Sequence, residues 1–230
     1  MIVLHQFEPG FGLINPSPFC VKLEAWLRLA GLPYRVERVH DLQAAPKGRA
    51  PFIDDGDRRI GDSALVIAHL RRSRGVDPDA WLTPAQRGSG RAVEAMLEDR
   101  LYFAALHDRW MEPDRWPVVR AGLFPGLPDE VAEMIRGTQR ERLKGHGIGA
   151  HAPAEIYAIA DADIGALSDI LGDRPFLFGD RPASVDCTAF AFMHGILGEQ
   201  IDGELRRSAR QRPNLVAYER RMRERLFPEA

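Results

Sequence analysis

A change of pattern near residue 75 limits the fold more than any other feature of the chain. The first eighty residues alternate strand and helix signals, and after GVDPDAWLTPAQRG the strand signals stop. Two strands separated by a helix pair in parallel through a right-handed crossover, whereas a run of helices packs on itself. The pattern therefore predicts a mixed α/β unit over 1–75, a linker over 76–87 and an all-helical unit over 88–230. With 230 residues the chain is long enough to bury a core in each unit.

In the first unit, IVLHQF is a short apolar run closed by Glu8-Pro9-Gly10, the mark of a buried strand. From Pro18, the residues Phe19, Leu23, Trp26, Leu27 and Ala30 recur at helical spacing until Gly31 and Pro33 stop the helix. YRVERV reads as a second strand. APFIDDGDRRIGDS reads as two strands turning about Asp55-Gly56, and a helix follows from Ser63. The sheet should thus hold four strands, one pair parallel and the hairpin antiparallel. In the second unit helices are expected over roughly 84–111, 129–143, 154–171, 185–197 and 214–226. The helix over 185–197 is apolar nearly all round, which places it at the centre. Trp81 and Leu82 look like a hydrophobic clasp within the linker.

Composition narrows the function. The formal net charge is -2, with Lys and Arg spread along the chain, so neither nucleic acid nor a membrane surface is indicated as a partner. No run approaches the roughly 20 apolar residues of a bilayer span, and MIVLHQFEPG lacks the features of a signal peptide. A cytoplasmic protein is expected. Cys20 and Cys187 lie far apart, as in a reducing compartment, and the seven histidines show no metal-ligand spacing.

Two readings of SPFC (Ser17 to Cys20) are open. One is helix-start grammar, with Ser17 as N-cap before Pro18, or Asn15 as cap before Pro16. The other is an active site at the end of the first strand. Cys20 is then a small buried residue or a nucleophile. Pro51 opens the third strand after KGRA, and Asp62-Ser63 stands between the fourth strand and its helix, where it can equally be a cap.

Together these residues resemble the glutathione transferase architecture, a thioredoxin-like domain followed by an all-helical domain. SPFC resembles the C-x-x-C position of that fold, APFI its cis-proline strand, and GDS the acidic-Ser pair that holds the γ-glutamyl group of glutathione. NPSPFCVKLEAWLRLAGLPY, APKGRAPFIDDG, GDRPFLFGDRPASVDCTAFAFM and RPNLVAYERRMRERLFPE are similar to the metaxin and failed-axon-connections branch, including its soluble bacterial transferase-like members. The middle of the chain, roughly 110–153, matches weakly. The superfamily's cap before the central helix has Ser or Thr where this chain has Ala183, so Ser184 is expected to cap instead, with Asp186 as the second helical residue.

The resemblance implies glutathione as co-substrate and a small hydrophobic electrophile as second substrate. Ser17 would assist the thiolate, Ala50 and Pro51 would pair with the cysteinyl backbone, and Asp62 and Ser63 would hold the γ-glutamyl end. Lys47 and Arg49 could meet the glycyl carboxylate. Tyr102, Trp110, Met111, Trp116 and Phe124 either line an apolar cleft for the electrophile or pack the helical core. AGLFPGLP is a lid or a connector. A homodimer is implied by the family. Two alternatives remain beside transfer: Cys20-based thioltransferase chemistry, and a non-catalytic interaction module that keeps the fold.

Overall fold

In the computed structural model, which describes residues 1–198 and 202–229, the alternating first part becomes β1 (Ile2–Gln6), α1 (Pro18–Leu29), β2 (Tyr34–Arg38), β3 (Phe52–Asp55), β4 (Arg58–Gly61) and α2 (Ser63–Arg74). The strands lie in the order β2-β1-β3-β4, with β1 and β2 parallel and the other pairs antiparallel. This is the mixed thioredoxin-like sheet expected. Pro18 fits the first turn of α1 because that turn needs no N–H, and Gly31 at φ 64° lets the chain leave it. Ile2 and Leu4 are buried, and Gln6 Nε2 donates to Glu24 Oε2 of α1 at 2.7 Å.

The helical part begins with α3 (Pro84–Ala95), which starts where the first of its helices was expected. Thr83 and Gln86 form a reciprocal capping box at its start. It continues through a π turn over Met96–Leu101 into α4 (Tyr102–Trp110), where one unbroken α-helix was expected. Then come α5 (Trp116–Leu123), α6 (Asp129–His146), α7 (Pro153–Leu171), α8 (Ser184–Leu197), α9 (Glu204–Arg210) and α10 (Pro213–Leu226). Sequence periodicity missed α5 and α9, which at eight and seven residues are too short to show a stripe. No helix among the described residues is long and apolar enough to cross a membrane.

As its composition requires, α8 is buried from Ser184 to His194 and packs against α1. Trp26 of α1 is fully buried there and donates its indole N–H to Ser184 Oγ at 2.9 Å. Lys22 of α1, also buried, pairs with Glu98 on the π turn. The expectation of a shifted cap is corrected. Ala183 itself occupies the N-cap position, and Asp186, third in the helix, reaches back to the Ala183 N–H at 2.8 Å. Ser184 is the first helical residue, and its N–H is taken by Asp79 Oδ1 at 2.7 Å. A linker carboxylate thus satisfies the first N–H of the helix, and Arg71 of α2 binds both Asp79 and the Ser184 hydroxyl.

Candidate functional site

Strand register assembles the site. His5 pairs with Phe52 and Phe52 with Gly61, so Gln6, Pro51 and Asp62 follow one another along a single edge of the sheet. Neighbouring strands are about 4.8 Å apart, so these three positions are close in space. The start of α1 is tied to the same edge by Asn15, which is 1% exposed. Its Nδ2 donates to the Phe7 carbonyl just beyond β1 at 2.7 Å, and its Oδ1 accepts the Ser17 N–H at 3.0 Å. The N-termini of α1 and α2 therefore meet at the C-terminal end of β1, with N–H groups and dipoles suited to an anion.

Ser17 stands at the N-cap position of α1 and is partly buried, yet its side chain makes no cap bond. Of the two helix-start readings, the one with Ser17 before Pro18 holds for the position, while Asn15 lies outside the helix and binds the N–H of Ser17 itself. Arg109 of α4 donates to the Pro16 carbonyl at 2.8 Å, which brings a guanidinium to the residue preceding Ser17.

Cys20 sits one turn into α1, wholly buried beside the Ser17 hydroxyl, and burial pushes its thiol up to about 12. A thiol so protonated and enclosed is a poor nucleophile. Cys187 is equally buried, and desolvation raises its thiol as well. In the folded protein, a disulfide-exchange reagent such as dithionitrobenzoate should release almost no thiolate during the interval in which the urea-unfolded chain titrates both cysteines. Rapid release of one equivalent from the native protein would restore Cys20 as a reactive group.

The Ala50–Pro51 peptide is cis, as in the strand that APFI resembles. Asp62 has φ 82° and ψ 120°, a region that residues with a Cβ rarely adopt. Its Oδ1 accepts the N–H groups of Ala64 and Leu65 at 2.9 and 3.1 Å, so the side chain caps α2. Ser63 is buried at the first helical position. Lys47 and Arg49 are exposed in the loop that leads to Pro51.

The five residues expected near a second substrate divide into two groups. Tyr102 meets Phe19 edge-on at 5.0 Å, beside the start of α1, and its hydroxyl accepts from Arg142 at 3.2 Å. Trp110 and Trp116 are 9% and 6% exposed and stack at 5.7 Å, with Phe124 at 6.0 Å from Trp110 and Arg136 over the Trp116 ring. Arg136 also binds the carbonyls of Trp110 and Met111. For Trp110 and Trp116 the core-packing alternative holds. The AGLFPGLP segment meets the first domain through Gly122, where an added Cβ would lie 2.3 Å from the Phe11 ring and would force that ring to move.

Sequence reasoning missed Arg109, Asp79 and His194, the last of which accepts the Ile14 N–H at 3.1 Å. The only signal for His194 was a histidine inside an otherwise apolar helix.

The chain is similar to several known proteins. The glutathione S-transferase N-terminal domain model matches residues 18–115, and the glutathione S-transferase C-terminal domain model matches residues 160–222. Failed axon connections of Drosophila melanogaster is 34% identical across 100% of this chain, which spans 59% of that protein's length. The isoprene-epoxide–glutathione S-transferase of Rhodococcus sp. (strain AD45) is 28% identical over 97% of this chain and 98% of its own. Among solved structures, the β-etherase LigF from Sphingobium sp. strain SYK-6 superposes with a TM-score of 0.69 at 15% identity, covering 100% of this chain and 99% of that one. The last likeness concerns the fold alone.

Proposed function

Since this chain belongs to the glutathione S-transferase superfamily, in its metaxin-like branch, we propose that it binds glutathione along the shared edge of Ser17, Pro51 and Asp62 and transfers the thiolate to a small hydrophobic electrophile. The observation that carries the reading is the convergence of two helix N-termini and the backbone leading into β3 at one end of the sheet. The γ-glutamyl carboxylate would sit at the start of α2 on the Ser63 N–H and hydroxyl, with the free oxygen of Asp62 toward the α-amino group. The Ala50 backbone would pair with the cysteinyl amide, and Lys47 or Arg49 would meet the glycyl end. The thiol would then lie at the start of α1, where Ser17 donates to the thiolate. The thiol proton passes to solvent as the thiolate forms, and attack then makes a carbon–sulfur bond as the leaving atom of the electrophile departs with its electron pair. The unusual backbone of Asp62 supports this reading, because strained residues cluster at ligand sites. Tyr102 and Phe19 offer the apolar side on which the electrophile would rest, and a second copy of the chain would complete a homodimer.

Calorimetric titration of glutathione into the protein tests the first step. Binding in the micromolar to low-millimolar range should weaken about tenfold in Asp62→Ala, as expected for a lost charge-assisted hydrogen bond. Binding unchanged by that substitution would place glutathione elsewhere. No binding at all, with a protein partner recovered instead, would favour the interaction-module reading, which the similarity to Failed axon connections and the metaxins keeps in play.

A further inference from the structure

We infer that His194 is a positioning residue for the Ser17 loop, which it holds as a hydrogen-bond acceptor available only in the neutral imidazole. The Ile14 N–H can only donate, so Nε2 of His194, 3.1 Å away, must accept. Nδ1 lies 2.9 Å from Glu219 Oε1, and a carboxylate can only accept, so the ring proton sits on Nδ1. Both ring nitrogens are thereby assigned, in a side chain that is 3% exposed.

The next residue along the chain, Asn15, holds the Ser17 N–H. A continuous series therefore runs from Glu219 on α10, through His194 on α8, to Ile14, Asn15 and Ser17, and crosses the domain boundary. Its anchor is α8, the most buried helix of the molecule. Leu13 packs against the end of the same helix, where an added Cβ on Gly198 would stand 3.0 Å from its methyl group. These contacts explain how the long connection from β1 to α1 can end in a fixed Ser17.

Adding a second proton to His194 turns Nε2 into a donor facing another donor, so the Ile14 bond is lost. The charged groups around the ring decide which partner it keeps. Glu219 faces it directly from α10, and Arg223 stands behind Glu219 at 3.4 Å. The cavity of about 700 Å³ beside the ring is also lined by Glu24 and Arg28 of α1, Arg38 at the end of β2, Arg210 of α9 and Glu229. Glu24 and Glu229 are both held by Arg28, which leaves Glu219 as the carboxylate in contact with the imidazole. Protonation therefore preserves the tie to α10 and breaks the one to the loop.

Nuclear magnetic resonance of the unmodified protein tests the assignment first. The His194 ring should show the Nδ1–H tautomer at neutral pH, and an Nε2–H tautomer would overturn the inference. The protection factor of the Ile14 amide should fall about fivefold to tenfold once the ring has taken up its second proton, as read from the ring nitrogen shifts of the same samples, the loss of one neutral hydrogen bond. In His194→Gln, whose side-chain carbonyl can accept but takes up no proton, the factor should stay flat with pH. An equal fall in both proteins would overturn the inference. The consequence for the site rests on the Ser17 reading above and is separately visible. Glutathione affinity should follow the Ile14 protection factor, and absence of glutathione binding at every pH would remove the Ser17 reading while the tautomer and protection data still decide the role of His194.

Discussion

Asp186→Ala should lower the stability of the fold by about 3 to 5 kcal/mol and the melting temperature by about 10 °C, since it leaves buried donors without partners. The carboxylate is fully buried and accepts the N–H groups of Leu177 and Ala183 at 2.9 and 2.8 Å and the Tyr218 hydroxyl at 3.0 Å. Tyr218 keeps a second acceptor in the Asp186 carbonyl, so the loss falls mainly on the two backbone donors that set the start of α8. Because α8 is the surface on which α1 packs, the damage should reach the Ser17 end of the molecule. Burial pushes the Asp186 carboxyl up to about 6, with the three donors opposing the shift. In the unfolded chain an aspartate titrates near pH 3.9, so between about pH 4 and 6 the folded state binds the extra proton. The stability linked to this titration is full below the unfolded value and is lost as pH rises through the folded one. The gap between the natural protein and Asp186→Ala should therefore widen as pH falls from 7 to 5, measured by urea denaturation at each pH. Asp54 runs the other way. Hydrogen bonding to Arg59, joined by His5, holds its carboxyl down at about 2, so its contribution is present above the unfolded value and fades as pH falls toward 2. A gap for Asp186→Ala that narrowed on acidification would contradict the buried-carboxylate account.

The sheet edge was legible in the sequence because each part of it is local. Pro18 at a helix start, Asp55-Gly56 at a hairpin and Ser63 after a strand each speak for their own few residues, and strand pairing then brings them to one edge. The ties from the Ser17 loop to α8, and those that set the start of α8, were not legible, because they join residues far apart in the chain. Ile14 and His194 are separated by 180 positions, and Asp79 and Ser184 by 105. The expected cap at Ser184 failed for a related reason: the helix starts one residue earlier than local grammar suggested, and the N–H of Ser184 is held by a carboxylate distant in the chain. The π turn over Met96–Leu101 carries no Pro or Gly to announce it, and it places Glu98 against the buried Lys22. Trp110 and Trp116 show the limit of reading aromatic residues from sequence, since a cleft wall and a packed core present the same letters.

Ser17→Ala is expected to raise the pKa of bound glutathione by about 1 to 2 units and to lower kcat/KM by about 10-fold to 100-fold near pH 6.5, with glutathione affinity changed by less than about threefold. A two-unit depression of a thiol pKa needs roughly 2.7 kcal/mol of preference for the thiolate. A helix N-terminus supplies about 0.3 to 1 kcal/mol, or up to about 2 when partly buried, which falls short by itself. A hydroxyl donating to the charged sulfur adds about 1.5 to 3 kcal/mol and closes the gap. Ser17 is suited to that role because its side chain makes no cap bond to its own helix and its backbone is fixed through Asn15. Cys20 cannot replace it, since its thiol is enclosed and protonated. The sign of the pH dependence follows from the thiol. Where glutathione ionises without help, above about pH 9, the hydroxyl has less to contribute, so the variant should approach the parent there. Thiolate absorbance of the bound tripeptide and the pH profile of kcat/KM measure both effects, and Ser17→Thr, which keeps a hydroxyl, should recover most of the loss. Equal thiolate absorbance in the parent and in Ser17→Ala would separate the serine from the chemistry and leave the helix end, with the Arg109 guanidinium at Pro16, to activate the thiol.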